Sequence, residues 1–349
     1  MKAALPDSIT ENFMSNTNKQ IRLAHYPEGL PADDTWKLVD GEIPQPTEGQ
    51  FVVRNHYISL DPAMRGWIRD VRSYLPPVQI DEVMRAGAVG EVVESKNDGF
   101  RVGTKVQGVF GVQQYAVSDG KGVSPVDDSV AELPLFLATL GMPGMTAYFG
   151  LLEIGQPKEG DTVVVSAASG AVGQVVGQIA KIKGCRVVGI AGGPEKCSWV
   201  VDELGFDACI DYKNEDVGKG LKEHCPDRID VYFDNVGGKI LDECLKQMNL
   251  HGRIPTCGLI SQYNATEPVP GPYNYDLILM HRLKIQGFII LDYMDRYPEA
   301  TEALIGWMKE GRLKARLDVS EGLETALQAV KKLYTGENTG KLMVRVKDV

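Results

Sequence analysis

The chain is poor in the side chains that bind metal ions. Its 349 residues include five histidines and six cysteines, and no two cysteines form a Cys-x-x-Cys pair. Structural zinc sites need clustered ligands of these types, and disulfide frameworks belong to small secreted chains. The sequence therefore predicts no metal site and six reduced thiols, which are typical of a cytoplasmic protein.

Long apolar runs and an excess of positive charge are missing as well. No run approaches the roughly 18 apolar residues of a membrane span, and the sequence does not begin with a secretory pattern. The formal net charge of −10 disfavours nucleic acid and anionic membranes as partners. We expect a small-molecule partner, and a chain of this length predicts two domains.

The chain does contain a turn of small residues between a strand and a helix. Residues 162–165 form a β-branched apolar run typical of a strand buried on both faces, and apolar residues recur at helical spacing from Val172. The turn between them has the pattern Ala-x-Gly-x-x-Gly, with Ala168 in place of the first glycine. Gly170 permits close approach of a pyrophosphate, and Gly173 permits close packing of the helix. This unit predicts a dinucleotide site; a structural turn that binds nothing is the alternative.

The end of the next strand predicts NADP(H) rather than NAD(H). An NAD site usually has an acidic residue there to hold the ribose 2′-hydroxyl. Here Ile190 is followed by Ala-Gly-Gly-Pro, and Lys196 comes soon after. With no carboxylate to repel it and a cation nearby, a 2′-phosphate can bind here. Tyr212 offers a hydroxyl donor, and Lys213 lies beside it in the sequence. The alternative for Lys196 is a solvated lysine at a helix start.

The order of elements predicts an α/β fold with a second, mostly β domain. Short strands separated by Gly, Pro and Asp fill the chain as far as Leu133, after a loose arm of about 20 residues. Two helices around Gly-Met-Pro-Gly follow, the first ending at Pro143. Six strands then alternate with helices, the number in a doubly wound parallel sheet. A strand at residues 340–346 is expected to return to the β domain.

Chemistry-bearing residues follow three strands of the predicted parallel sheet. Asn235 follows the fourth strand, residues 257–264 follow the fifth, and residues 288–290 follow the sixth. Ligands of open α/β sheets bind at the carboxyl ends of their strands. These loops are therefore expected to line the cofactor.

Several motifs together resemble one protein family. They are Tyr-Ile-Ser-Leu-Asp-Pro-x-Met-Arg from Tyr57, Gly-Met-Pro-Gly-Met-Thr-Ala-Tyr from Gly141, Ala-Ala-Ser-Gly-Ala-Val-Gly from Ala167, Phe-Asp-Asn-Val-Gly-Gly from Phe233, Cys-Gly-x-Ile-Ser-x-Tyr-Asn from Cys257 and Glu-Asn-Thr-Gly-Lys from Glu337. They resemble the zinc-independent medium-chain dehydrogenase/reductases of the prostaglandin reductase, alkenal double-bond reductase and curcumin reductase type. The superfamily's zinc-ligating Gly-His-Glu segment and four-cysteine lobe are missing.

The resemblance implies a fold, an activity and an assembly. It implies a GroES-like domain over residues 1–138 and 312–349 and a Rossmann NADP(H)-binding domain over residues 139–311. It further implies NADPH-dependent reduction of the C=C bond of α,β-unsaturated ketones and aldehydes by a cytoplasmic homodimer. The cofactor contacts that it implies are Gly170, Ala171, Val172 and Gly173 at the pyrophosphate, Lys196 and Tyr212 at the 2′-phosphate, and Asn235, Cys257, Gly258, Ser261, Tyr263, Phe288, Ile289, Ile290 and Asn338 along the remainder.

Tyr263 is the predicted catalytic residue. When hydride reaches the β-carbon of an enone, negative charge develops on the carbonyl oxygen, and without a metal a hydrogen-bond donor must stabilise it. A phenol at the end of the fifth strand fits this role; an aromatic that only packs against the cofactor is the alternative.

The β domain is expected to supply the substrate wall. Tyr57 and Met142 are the candidates, and for Tyr57 an ordinary aromatic at a barrel rim is the alternative. His56 is expected to point away because side chains alternate along a strand. Arg65 is placed to pair with Asp61 and is given no chemical role.

Two other functions remain open on this scaffold. One is a zinc-free alcohol dehydrogenase or quinone reductase, which would share the cofactor loops and differ in substrate. The other is a non-catalytic NADPH-binding protein similar to the lens crystallins of this superfamily.

Overall fold

A computed structural model describes residues 17–347. The strands in that range are β1 (Thr17–Leu23), β2 (Trp36–Glu42), β3 (Phe51–Ser59), β4 (Gly87–Ser95), β5 (Lys105–Val109), β6 (Tyr115–Ser118), β7 (Ser124–Pro125), β8 (Thr162–Ser166), β9 (Arg186–Ala191), β10 (Ala208–Asp211), β11 (Ile229–Phe233), β12 (Met248–Thr256), β13 (Lys284–Gly287), β14 (Leu317–Glu321) and β15 (Lys341–Arg345). The α-helices are α1 (Met64–Trp67), α2 (Met142–Phe149), α3 (Gly173–Ile182), α4 (Pro194–Asp202), α5 (Val217–His224), α6 (Gly238–Gln247), α7 (Asp276–Met280), α8 (Tyr297–Lys309) and α9 (Ala326–Thr335). None of the helices in this range is both long enough and apolar enough to cross a membrane.

Strands β8 to β13 form the predicted parallel sheet. Their spatial order is β10-β9-β8-β11-β12-β13, so the order reverses between β8 and β11. All five residues of β8 are buried. Val163 and Val165 pack into one apolar core and Val164 into another, because helices cover both faces of the sheet. The doubly wound α/β prediction is confirmed, and the crevice at the reversal point is where a ligand is expected.

The remaining strands form the mostly β part of the fold. Its main sheet has the order β14-β15-β3-β4-β5-β7, with β6 also paired to β3, and β1 and β2 form a separate ribbon. β15 runs antiparallel to β3 and places Met343 opposite Ser59. The C-terminal segment therefore returns to the β part, as predicted.

Two local predictions were wrong. The segment at Leu133–Leu137 is a short 3-10 helix, and Pro143 lies in the first turn of α2 instead of ending the preceding helix. Proline is tolerated there because the first N–H groups of a helix have no partner within the helix. Residues 17–20 belong to β1 and are not part of a loose arm. The remainder of that predicted arm, residues 1–16, lies outside the described residues.

Buried glutamines of α3 join the parallel sheet's layer to the C-terminal segment. Gln174 Oε1 accepts the backbone N–H of Arg316 at 2.9 Å, and Gln178 Oε1 accepts that of Lys314 at 2.7 Å. A buried amide must find hydrogen-bond partners. These contacts hold the segment before β14 against the helix that follows the small-residue turn.

Candidate cofactor and active site

The turn between β8 and α3 needs its small residues for steric reasons. A Cβ at Gly173 would lie 2.3 Å from the carbonyl oxygen of Ala167, and one at Gly170 would lie 3.1 Å from it. Ala168 is fully buried, and a Cβ at Gly189 would approach its methyl to 2.9 Å. Gly189 on β9 thus provides the space that lets alanine replace the first glycine. The turn also includes Ala171 and Val172 and leads directly into α3, whose N-terminal end suits a pyrophosphate.

Lys196 lies in the first turn of α4 and reaches out of the parallel-sheet part. Its Nζ donates a hydrogen bond of 2.7 Å to the carbonyl oxygen of Gly336, beyond the end of α9. Burial, followed by the charge of Lys213, lowers the pKa of the Lys196 ammonium. An ammonium has three N–H donors, so this one carbonyl leaves donors for an anion. A half-buried cation in this position fits the 2′-phosphate of NADP(H).

Tyr212 lies beside the same contact. Its hydroxyl oxygen is 3.1 Å from the position that a Cβ would take at Gly336 and 2.9 Å from that at Gly192. The neighbouring Asp211 carboxylate accepts the N–H of Gly193 at 2.7 Å and the side chain of Asn214 at 2.7 Å. Asp211 therefore joins the start of α4, which carries Lys196, to the loop that carries Tyr212. The structure brings together the two residues predicted for the 2′-phosphate.

At the other end of the crevice, the loops after β11 and β12 meet. Asn235 donates its backbone N–H to Ser166 Oγ at 2.9 Å and its side-chain Nδ2 to the Ser166 carbonyl at 2.7 Å. The hydroxyl oxygen of Tyr263 accepts the N–H of Leu259 at 3.2 Å and lies 3.1 Å from where Gly258 would carry a Cβ. Burial raises the pKa of Tyr263, so its phenol stays protonated and keeps a proton to donate.

Asp234 organises these two loops and was not predicted as a site residue. Its buried Oδ1 accepts the hydroxyl of Tyr232 at 2.8 Å and the N–H of Gly237 at 2.8 Å. Its backbone oxygen accepts the N–H of Cys257 at 2.8 Å. The sequence signal for such a residue is an aspartate that directly follows a buried strand and precedes a Gly-Gly turn.

Arg65 was also missed, and its predicted pairing with Asp61 is wrong. The side chain is 2 % exposed, and its Nε donates to Asn264 Oδ1 at 3.0 Å and to the Gly29 carbonyl at 3.0 Å. Its Nη2 donates to the carbonyl of Pro27 at 3.1 Å. Arg65 thus holds the loop that carries Tyr263 against the β part. Asp61 instead accepts from the buried Lys341 Nζ at 2.7 Å.

The predicted substrate-wall residues have different surroundings. Tyr57 packs against a small cluster that includes Val89 and Leu137, whereas Met142 is 43 % exposed at the start of α2. His56 lies 3.7 Å from Glu91 Oε2.

The other predicted cofactor contacts lie along the same crevice edge or next to it. Phe288 packs edge-to-face on Phe233 with 6.3 Å between ring centroids, and Ser261 Oγ donates to the Val236 carbonyl at 2.6 Å. Asn338 Nδ2 donates to the carbonyl of Gly340 at 3.0 Å, and Gly340 forms a β-bridge with Gly170. Ile289 is partly buried, while the side chain of Ile290 is in the core, so only the backbone of Ile290 can reach a ligand. Burial raises the pKa of Cys257 to about 12, which suits a lining residue and not a nucleophile.

Family models match both parts of the chain. Residues 19–126 match a model described as the N-terminal domain of oxidoreductases, and residues 171–309 match one described as zinc-binding dehydrogenase. Within residues 17–347, however, no three His, Cys, Asp or Glu side chains form a group that would hold a metal ion. The fold and the crevice therefore define a two-domain, nucleotide-dependent oxidoreductase.

Known relatives narrow this class. The chain is 46% identical over 334 residues to the NADPH-dependent curcumin reductase of Escherichia coli, covering 94% of this chain and 97% of that one. It is 40% identical to the NADP-dependent 2-alkenal reductase of Nicotiana tabacum, covering 95% and 98%. The solved NADPH complex of CurA from Vibrio vulnificus superposes with a TM-score of 0.91 at 46% identity, covering 95% and 100%. The chain belongs to the zinc-independent medium-chain dehydrogenase/reductase family.

Proposed function

We infer that this chain is an NADPH-dependent reductase of the C=C bond of α,β-unsaturated ketones and aldehydes. The observation that carries the inference is one crevice with a half-buried cation at one end and a protonated phenol at the other. Lys196 suits a 2′-phosphate, and Tyr263 suits a carbonyl oxygen that becomes negative. The curcumin and alkenal reductases that the chain resembles along nearly its whole length are NADPH-dependent or NADP-dependent by name.

Each part of the proposed mechanism rests on a residue of the crevice. Bound NADPH supplies a hydride to the β-carbon of the substrate. The turn at residues 170–173 and Lys196 hold the two phosphate-bearing ends of the cofactor. Tyr263 donates a hydrogen bond to the substrate carbonyl oxygen, where an enolate develops. The backbone N–H of Leu259 donates to the phenolic oxygen of Tyr263. Because the loop supplies a donor to this oxygen, the phenolic proton points away from the loop.

We propose Tyr57 and Met142 as the walls of the substrate pocket. Met142 is exposed at the start of α2, and a thioether side chain adapts to apolar ligands of varied shape. The partly buried ring of Tyr57 offers a flat apolar surface on the β part. These features favour apolar enones and enals over small polar carbonyls.

A substrate panel tests the function. The purified chain should oxidise NADPH in the presence of trans-2-hexenal or 4-hydroxynonenal and release the saturated carbonyl, identified by mass spectrometry. Deuteride from 4-deuterated NADPH should appear at the β-carbon of the product. Turnover of quinones alone, or reduction of the carbonyl to an allylic alcohol, would replace this function with that of a quinone reductase or an alcohol dehydrogenase on the same scaffold.

We also propose a cytoplasmic homodimer. Strand β13 lies at the edge of the parallel sheet, and three of its four residues are exposed. Leu279 and Met280, nearby in the chain, are 77 % and 60 % exposed, as suits an edge that pairs with its copy. The free thiols of Cys185 and Cys225 suit a reducing compartment.

Light scattering of the chain and of Ile285→Lys tests the dimer. The domain boundaries proposed are those after residues 138 and 311, which agree with the division of strands between the two main sheets.

A further inference from the structure

Two cysteines that the mechanism does not use lie in contact beside the 2′-phosphate end of the crevice. Cys197 Sγ and Cys209 Sγ are 2.9 Å apart, with Cys209 donating to Cys197. Both side chains are partly exposed, whereas Cys185, Cys225 and Cys244 are buried. We propose that Cys197 and Cys209 form an oxidation site at which a hydroperoxide closes a disulfide, and that this disulfide weakens NADPH binding. The second half of this proposal rests on the proposed cofactor site.

The backbone around the two sulfurs permits the bond. Cys209 lies on β10 opposite Gly189 of β9, and a Cβ at Gly189 would be only 3.3 Å from Cys209 Sγ. Because Gly189 has no side chain, the Cys209 sulfur can lie against the sheet and face the first turn of α4. A disulfide has an S–S length of about 2.05 Å, so the sulfurs must approach by about 0.9 Å. This is a side-chain and helix-end adjustment, not a rearrangement of the fold.

The proposed chemistry uses Cys197 as the nucleophile and Cys209 as the resolving thiol. The Cys197 thiolate attacks one peroxide oxygen, so that an S–O bond forms, the O–O bond breaks and an alcohol leaves after taking a proton. Cys209 then attacks the sulfur of the Cys197 sulfenic acid: the S–S bond forms, the S–O bond breaks, and the hydroxyl leaves as water with the Cys209 proton. The two thiols lose two electrons and the hydroperoxide gains them. The hydrogen bond from Cys209 lowers the pKa of Cys197, which suits the nucleophile.

The consequence for the cofactor follows from the neighbours of each sulfur. Cys197 directly follows Lys196, and Cys209 lies on the same face of β10 as Asp211, two residues on. Asp211 holds the N–H of Gly193, from which α4 begins. Drawing the first turn of α4 toward β10 moves Lys196 relative to the Gly336 carbonyl and to any phosphate bound there. We expect the KM for NADPH to rise about tenfold, while kcat at saturating NADPH changes little, because Tyr263 lies at the other end.

Binding linkage gives a second expectation. If the disulfide weakens NADPH binding tenfold, saturating NADPH must favour the dithiol by the same factor. For a two-electron couple this is a shift of about 30 mV toward easier reduction. NADPH should therefore protect the pair, and NADH should protect it less.

Mass spectrometry after peroxide treatment tests the site directly. The reduced protein is exposed to hydrogen peroxide or tert-butyl hydroperoxide, alkylated, and mapped, with and without NADPH. We expect one linkage, between Cys197 and Cys209, reversed by dithiothreitol, with Cys185, Cys225 and Cys244 still alkylated after denaturation. Absence of that linkage, or preferential oxidation elsewhere, would overturn the oxidation site.

Two single variants and the kinetics complete the test. Cys209→Ser should stop at a Cys197 sulfenic acid that dimedone traps, and Cys197→Ser should give neither the linkage nor any change in KM after peroxide. An oxidised wild-type protein with an unchanged KM for NADPH and no protection by NADPH would overturn the coupling. Enone reduction by the reduced protein is measured in parallel, so a failure of the proposed function is seen separately from a failure of the disulfide.

Discussion

Two cations cross between the two parts of the molecule in opposite directions. Lys196 extends from α4 of the parallel-sheet part to one carbonyl beyond α9, and it remains half-buried. Arg65 extends from α1 of the β part to the loop after β12, and its three oxygen partners bury it almost completely. Both contacts join a cation of one part to oxygen atoms of the other, but a ligand can reach only the half-buried Lys196.

The difference follows from how accessible the remaining donors of each cation are. Lys196 is half-buried and gives one hydrogen bond to the Gly336 carbonyl, so it keeps accessible N–H groups, as the proposed contact with the 2′-phosphate requires. The guanidinium of Arg65 is buried: its Nε and Nη2 donate to protein oxygens, while its Nη1 has no hydrogen-bond partner and is shielded from solvent. Its contact therefore positions the Tyr263 loop, and a ligand cannot reach it. A cation between the two parts can thus serve binding or architecture, and the accessibility of its remaining donors separates the two.

The largest expected effect is loss of stability in Arg65→Met. The change removes three charge-assisted hydrogen bonds and leaves buried oxygens without a donor, so we expect the free energy of unfolding to fall by about 3 kcal/mol. Denaturant unfolding measures it. Arg69→Met is the matched control, since Arg69 is exposed and reaches Ala265 only at 3.4 Å; it should cost about 0.5 kcal/mol or less. Equal losses in both variants would contradict the assignment of Arg65 as the cross-domain anchor.

The second effect is on cofactor selectivity in Lys196→Ala. Loss of a charged hydrogen bond to the 2′-phosphate is worth about 2 kcal/mol, so the KM for NADPH should rise about 30-fold. The KM for NADH, which has no such phosphate, should change little. Steady-state kinetics with both cofactors measures this, with Lys213→Ala as a neighbouring-lysine control of smaller effect. A similar rise for NADH would remove Lys196 from the phosphate site.

The contrast between the two cations also shows how far sequence reasoning reaches. Lys196 was predicted because its signal is local: an acid is missing after β9 and a lysine follows within the same turn. The role of Arg65 was not predicted, because its partner Asn264 is 199 residues away in the chain and no short sequence pattern indicates that contact. Asp234 was missed for a similar reason, since its partners are backbone groups that only the folded loops bring to it.

Local signals can also be ambiguous. Pro143 was expected to end a helix, but it lies in the first turn of one. A proline between two helical segments can either end the first or begin the second, and the proline alone does not determine which. The small-residue turn was predicted correctly because strand, glycines and helix each point to the same structure. Gly189 leaves room for the methyl group of Ala168, and this relation between the two residues is seen only in the folded sheet.

The third effect is on the rate in Tyr263→Phe. If the phenol stabilises the enolate oxygen, its loss should lower kcat about tenfold, less than the hundredfold typical of a removed oxyanion donor, because other hydroxyls near the substrate can substitute. The KM for NADPH should be nearly unchanged. Tyr273→Phe, at an 82 % exposed position, is the control. An unchanged kcat would reduce Tyr263 to a packing residue and leave Arg65 as an anchor of structure alone.

The smallest effect is a pH dependence specific to NADPH. Burial, and then the charge of Lys213, lowers the pKa of Lys196 below its ordinary value of 10.5, so this ammonium loses its proton at a lower pH than an exposed lysine. As the pH rises toward that pKa, the free enzyme loses positive charge and kcat/KM for NADPH should fall, by about twofold at first, while kcat/KM for NADH should not. In Lys196→Arg the guanidinium stays charged, so the NADPH profile should become flat over the same range. Parallel profiles for both cofactors, or the same fall in Lys196→Arg, would mean that another group titrates and that Lys196, like Arg65, serves the protein's own structure and not the phosphate.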